Sequence, residues 1–309
     1  METVRAPWSS ASFLVYAGGL TVFGAVVSLL AVQSSHHGAG AFVLWALLIY
    51  VVVTAAARAV HRRGHFVTAG LLALSSVGAF VVLLGALLDW FGWLPHVSLG
   101  FNGFHFWVLV VELAIVVAGA VALRRFGFPL LVFVIAAASW YFVTDLVSNG
   151  GDWSAVVTIL VGLFLLGVAR GMDARRSRVR AFWVHVTAGL TIGGGLLWFF
   201  HDGDFDWALV AVVGLLYVGL GDRFVRSSWV VLGAWGFLQS AAHYADKWSE
   251  VSFLIPYLFP FTAFDEYGSQ STHEWAGPLV FVVAGSILIT IALVLARRRR
   301  ALIPAAEIL

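Results

Sequence analysis

The sequence predicts an all-α integral membrane protein of about ten transmembrane helices with both termini in the cytoplasm. Three observations carry this expectation. Apolar residues make up 61% of the chain and charged residues only 11%, a balance that excludes an ordinary soluble domain. The apolar residues fall in repeated blocks of roughly 17 to 25, the length a helix needs to cross a hydrocarbon core about 30 Å thick. The cations of the intervening loops all fall on one side when ten spans are drawn, apart from a single lysine. Backbone groups must be paired inside lipid, and these long blocks do not alternate as barrel strands do, so the spans are read as helices.

The first block, 11–32, is longer than a signal-peptide core and lacks a small-residue cleavage pattern after it, so it is read as a retained helix. The remaining spans are 41–60, 66–88, 104–123, 129–147, 154–170, 181–200, 207–222, 228–244 and 275–296. The ten together make one polytopic domain, 1–309. Starting inside, the loops place Arg5, Arg58, Arg62, Arg63, Arg124, Arg125, Arg170, Arg175, Arg176, Arg178, Arg180, Arg223, Arg226 and Arg297 to Arg300 in the cytoplasm. Lys247, the single lysine, falls outside among most of the acids: Asp89, Asp145, Asp152, Asp202, Asp204, Asp206, Asp246, Glu250, Asp265, Glu266 and Glu274. Adding or removing one span would reverse the sign of every later loop, so the pattern favours an even count.

The basic loops are short and lack interleaved aromatic residues, so they indicate topology and contact with anionic lipid rather than nucleic-acid binding. The expected surroundings are a lipid bilayer and either a membrane-protein partner or further copies of the chain. Heavy use of Ala, Val, Gly and Arg suggests a GC-rich bacterial origin and hence a cell (inner or plasma) membrane. The absence of cysteine removes disulfides, thiolate metal sites, iron–sulfur clusters and thiol nucleophiles.

Two hairpins are alike in sequence. Trp140, Tyr141, Phe142 and Asp145 precede Asp152 and Trp153, while Trp198, Phe199, Phe200 and Asp202 precede Asp206 and Trp207. Duplication would give parallel hairpin repeats, although interfacial aromatics and Asp caps alone produce the same pattern. The stretch 245–274 holds Phe253 to Phe261 with two prolines, too short and too broken to span, and is read as an outer interfacial or lid segment.

Glu112 is the most informative residue. It lies near the middle of span 104–123, where an acid costs roughly 2.5 to 3.5 kcal/mol to insert, so it is a candidate proton or ion site. His105, seven residues earlier and roughly 10 Å nearer the outer surface, is its candidate relay partner. The plainer alternative is a neutral Glu112 that fixes helix packing. In the loop His201-Asp202-Gly203-Asp204-Phe205-Asp206, His201, Asp202, Asp204 and Asp206 are candidates for a divalent cation at the outer face. The calcium-loop pattern is incomplete, because Trp207 and Val213 stand where Gly and Glu belong, so helix capping competes with metal binding. Gln239, His243 and Asp246 share a helix face and are candidates for a ligand or relay stripe, again against an ordinary interfacial reading.

No cofactor is identified. His185 has no evident axial partner for a haem, and no nucleophile elbow, P-loop, dinucleotide fingerprint or zinc-protease helix is present. Gly193 to Gly195, with Gly189, mark either close helix packing or a broken helix. The leading functional expectation is transport or binding of a small solute, ion or lipid, with Glu112 in the membrane and no catalytic residues assigned. The alternatives are a noncatalytic membrane subunit that packs a partner, and an outer-interface enzyme using His201, Asp202, Asp204, His243 and Asp246.

Overall fold

A helix that crosses lipid needs an uninterrupted apolar run and a short polar turn to reverse direction, and the chain repeats that unit. The computed structural model describes residues 39–93, 104–175, 177–200, 202–248 and 276–302. The expected first span, 11–32, and residues 249–274 of the expected lid lie outside the described residues. Within them there are nine helices and no strand. They are α1 (Ala39–Arg62), α2 (Phe66–Trp90), α3 (Phe106–Phe126), α4 (Leu131–Val147), α5 (Gly151–Ala174), α6 (Arg178–Phe199), α7 (Asp204–Phe224), α8 (Ser227–Trp248) and α9 (Ala276–Leu302).

Each of the nine covers an expected span, with ends displaced by a few residues. The protein is therefore a helical, membrane-embedded chain: α1, α2, α3, α5, α6 and α7 are long and apolar enough to cross a bilayer. The shorter α4 has 17 residues, and α9 contains the apolar stretch Leu279–Ile291. Large apolar side chains such as Leu48, Val121, Phe164 and Leu216 are exposed, as a lipid solvent requires and water does not permit on this scale.

The chain divides into two compact units, one running to Ala188 and the other from Gly189. In the first, the α1–α2 hairpin turns at Gly64, whose φ of +82° suits a residue without Cβ. Thr54 and Ser76 bridge the two helices through their hydroxyls, and Val43, Ala46, Leu83 and Ala86 form the apolar seam. The α3–α4 turn is closed by Gly127 at φ +65°, whose N–H donates to Leu123 O. Phe128 then packs into a cluster with Leu71, Val77, Ala122 and Leu131. The α4–α5 turn brings Ser148 onto Ser154, and Trp153 Nε1 donates to Val147 O at 3.0 Å.

In the second unit α7 and α8 approach almost backbone to backbone. A Cβ at Gly214 would stand 2.7 Å from Gly233 O and 2.8 Å from Phe237 N, so the crossing requires glycine. Helix α9 packs on α8 through Phe237, Ala241 and Ala284. Among the described residues the expected close contacts at Gly193 and Gly194 are not found: Gly194 meets none of them within 4 Å, and Gly193 meets the Tyr217 hydroxyl, 3.6 Å from where a Cβ would lie. Gly189 is the tight one, against Leu232, and its carbonyl accepts from Tyr217 Oη at 3.1 Å. Helix α6 runs unbroken through Gly193–Gly195, which removes the broken-helix alternative.

Candidate functional site

Glu112 opens inward. It is 6% exposed on α3, and its carboxyl is hydrogen-bonded to that of Asp145 on α4. Asp145 is 1% exposed, so the two form a buried carboxyl pair. The charge pattern of the sequence groups Asp145 with the outer-loop acids. The structure instead places it inside α4, three residues from Ser148, with its side chain turned into the helix packing. Glu112 is also less central than expected, seventh of the 21 residues of α3 and therefore roughly 9 Å from the helix start. Both carboxyls consequently sit towards the end of the bundle where α4 stops and α5 begins.

An ionised carboxylate has acceptors and no donor, so a hydrogen bond between two carboxyls requires a proton on one of them. Without it, two like charges would be in contact in a medium that screens poorly. Glu112 Oε2 is buried and has no hydrogen-bond partner among the described residues. The Tyr141 hydroxyl, one turn before Asp145, lies within electrostatic reach of both carboxyls. Other neighbouring polar groups are engaged elsewhere. Trp140 Nε1 donates to Thr158 Oγ1 at 3.1 Å, and Thr144 Oγ1 donates to Trp140 O at 2.9 Å. Ser148 and Ser154 share a hydroxyl contact at 2.7 Å, and Ser148 Oγ donates to Thr144 O. Thr144, Ser148, Ser154 and Thr158 are all buried, giving this end of α4 and α5 a polar core inside an apolar bundle. It offers oxygen ligands for a proton or a small cation.

His105, the expected relay residue, stands at the start of the same helix. It sits half-buried at the N-cap of α3 on extended backbone, and the group hydrogen-bonded to Glu112 is Asp145.

The second polar centre merges two candidates that sequence kept apart. Asp204, the first residue of α7, holds Lys247 through Oδ2 and His243 through Oδ1, the latter at 3.3 Å. The backbone carbonyl of Asp204 accepts from Tyr244 Oη, and Trp207 stacks on the His243 ring at 4.9 Å and 13°. The carboxylate partner of His243 thus comes from the preceding helix of the hairpin. Gln239 lies deeper on α8, where its Oε1 is buried without a hydrogen-bond partner among the described residues. The Asp246 side chain and His201 lie outside the described residues.

Asp206 acts as a cap, its Oδ2 accepting from Gly203 N at 3.1 Å, while Asp202 is exposed. Among the described residues no group of three metal-ligating side chains converges. The two similar hairpins also differ in use: Trp153 bonds the α4–α5 turn, whereas Trp207 covers His243.

A third pair joins residues of different helices. His185 on α6 is fully buried and its Nε2 lies 2.9 Å from Asp173 Oδ2 on α5. The expected span ended at residue 170, whereas α5 continues to Ala174 and delivers Asp173 across the tight α5–α6 turn. No protein-family model and no curated protein matches the chain.

Proposed function

We propose that the chain is a ten-span cell-membrane protein, with both termini on the arginine-rich cytoplasmic side, that binds or translocates a small solute or ion. The Glu112–Asp145 pair is its proton- or cation-exchanging centre. One observation carries this reading: two buried carboxyls share a hydrogen bond in a membrane-spanning bundle, beside a Glu112 oxygen that has no partner among the described residues. Such a pair exchanges one positive charge at a time, which is the unit needed to couple a conformational change to a proton or monovalent cation. The acidic outer loops supply an attractive approach for cations. The inner arginines hold the topology against anionic lipid.

The test is thermal unfolding of the full chain in nanodiscs across pH and across sodium, potassium and calcium, for wild type, Glu112→Gln, Asp145→Asn and His105→Gln. A ligand that binds only the folded state raises its unfolding temperature. Removing the shared proton at rising pH sets two charges against each other, so wild type loses stability there unless a cation replaces the proton. Both carboxyl variants flatten that response, because an amide donates the same hydrogen bond without titrating. His105→Gln leaves it intact. A wild type and carboxyl variants with the same pH and ion response would defeat the proposal.

A further inference from the structure

The second unit contains a crevice of about 370 Å³ between α7, α8 and α9. Small side chains create it: Ala211 on α7, Ala241 on α8 and Ala284 on α9 line the space, with Phe237 and Val280 completing the walls. The two polar residues along it turn their hydroxyls away. Ser240 Oγ donates to Trp207 O and Tyr244 Oη to Asp204 O, so the lining offers hydrocarbon to an occupant. Its lip is formed by Leu279 and Val283, which are 65% and 52% exposed. An apolar slot with an apolar lip, in a protein whose surroundings are lipid, selects an alkyl chain over a hydrated solute.

The slot has a polar end. Phe237 to Tyr244 spans seven residues, or roughly 10 Å of helix, and one turn beyond Tyr244 stands Lys247. There Lys247 and Asp204, each 48% exposed, lie side by side with His243 on the Trp207 ring. Adjacent positive and negative groups complement a headgroup that carries both signs, the carboxylate facing an ammonium and the lysine a phosphate. We infer that the crevice seats one acyl chain of a zwitterionic phospholipid whose headgroup rests on the Asp204–Lys247 pair. This site is separate from the carboxyl pair of the first unit and does not depend on its role.

The probe is phosphatidylethanolamine carrying a diazirine on its acyl chain, mixed into phosphatidylcholine nanodiscs that hold the full chain. Illumination should place adducts on Ala241 and Ala284, which are only 7% and 4% exposed and which lipid at the outer surface does not reach. Ala284→Phe, and independently Ala241→Phe from the opposite wall, should remove those adducts while leaving labelling at the surface residue Leu48 of α1 unchanged. A photoreactive phosphatidylglycerol should label the slot less than the ethanolamine lipid, and Asp204→Asn, which removes the carboxylate that faces the ammonium, should narrow that difference. Three results would overturn the inference: adducts on Leu48 but none on the two alanines, adducts that persist in both phenylalanine variants, or a photoreactive residue at position 280 that captures residues 249–275 instead of lipid.

Discussion

Replacing Gly214 by Ala tests the packing that holds the second unit together. The added methyl would lie 2.7 Å from Gly233 O, 2.8 Å from Phe237 N and 3.2 Å from Phe237 Cα, where ordinary contact begins at 3.4 Å. All three are backbone atoms, so no rotamer can yield and α7 must move from α8 by about 0.7 Å. A gap of that size forfeits a quarter to a half of each dispersion contact along the seam, and overpacking of this kind costs about 1 to 3 kcal/mol. Better helix propensity returns about 0.5 to 1 kcal/mol, leaving a net loss of up to about 2.5 kcal/mol. Gly219→Ala is the matched control. It lies five residues along the same helix with none of the described residues within 4 Å of the place its methyl would take, so it gains the propensity without the clash. Thermal unfolding in nanodiscs should place Gly214→Ala several degrees below wild type and Gly219→Ala at or above it. Equal unfolding temperatures for the two variants would refute the backbone-contact argument.

Three further outcomes are expected. Val225 closes the α7–α8 turn at φ +53°, a conformation that disfavours β-branched residues by roughly 1 to 2 kcal/mol, so Val225→Asn should raise the unfolding temperature. Ser148→Ala removes a buried partner from Ser154 and should cost about 1 to 3 kcal/mol, whereas Ser148→Ala/Ser154→Ala should cost less than the sum of the singles, as read from a double-mutant cycle. Because the chain has no cysteine, single cysteines at Ser177 and Asn149 report topology directly: an impermeant maleimide applied to intact cells should label position 149 and spare 177, and the reverse would invert the proposed orientation.

Block length and hydropathy located every described helix, because a lipid solvent imposes the same requirement on each segment and that requirement is local. Glu112 stood out for the same reason, as a costly acid in an apolar run. Its partner did not. Asp145 lies near a helix end, where an acid is ordinary, and nothing in one helix reveals which residue the next helix turns towards it. The pairing rests on the register of α3 against α4. His185 looked isolated because the end of α5 was drawn four residues short of Ala174, leaving Asp173 in a loop.

The same distinction separates the glycines. Gly193, Gly194 and Gly214 are equally small in the sequence, yet of the three only Gly214 meets another backbone. The sequence by itself determined that this is a multi-helix membrane protein, approximately where its helices run and which single residue is out of place in lipid. Only the tertiary structure decided that Glu112 faces Asp145, that His243 and Lys247 close on Asp204, and that alanines from three helices leave an apolar slot. Hydropathy acts on each segment through its solvent, whereas pairing depends on how one helix is rotated and offset against another, and those rotations are fixed by contacts between segments.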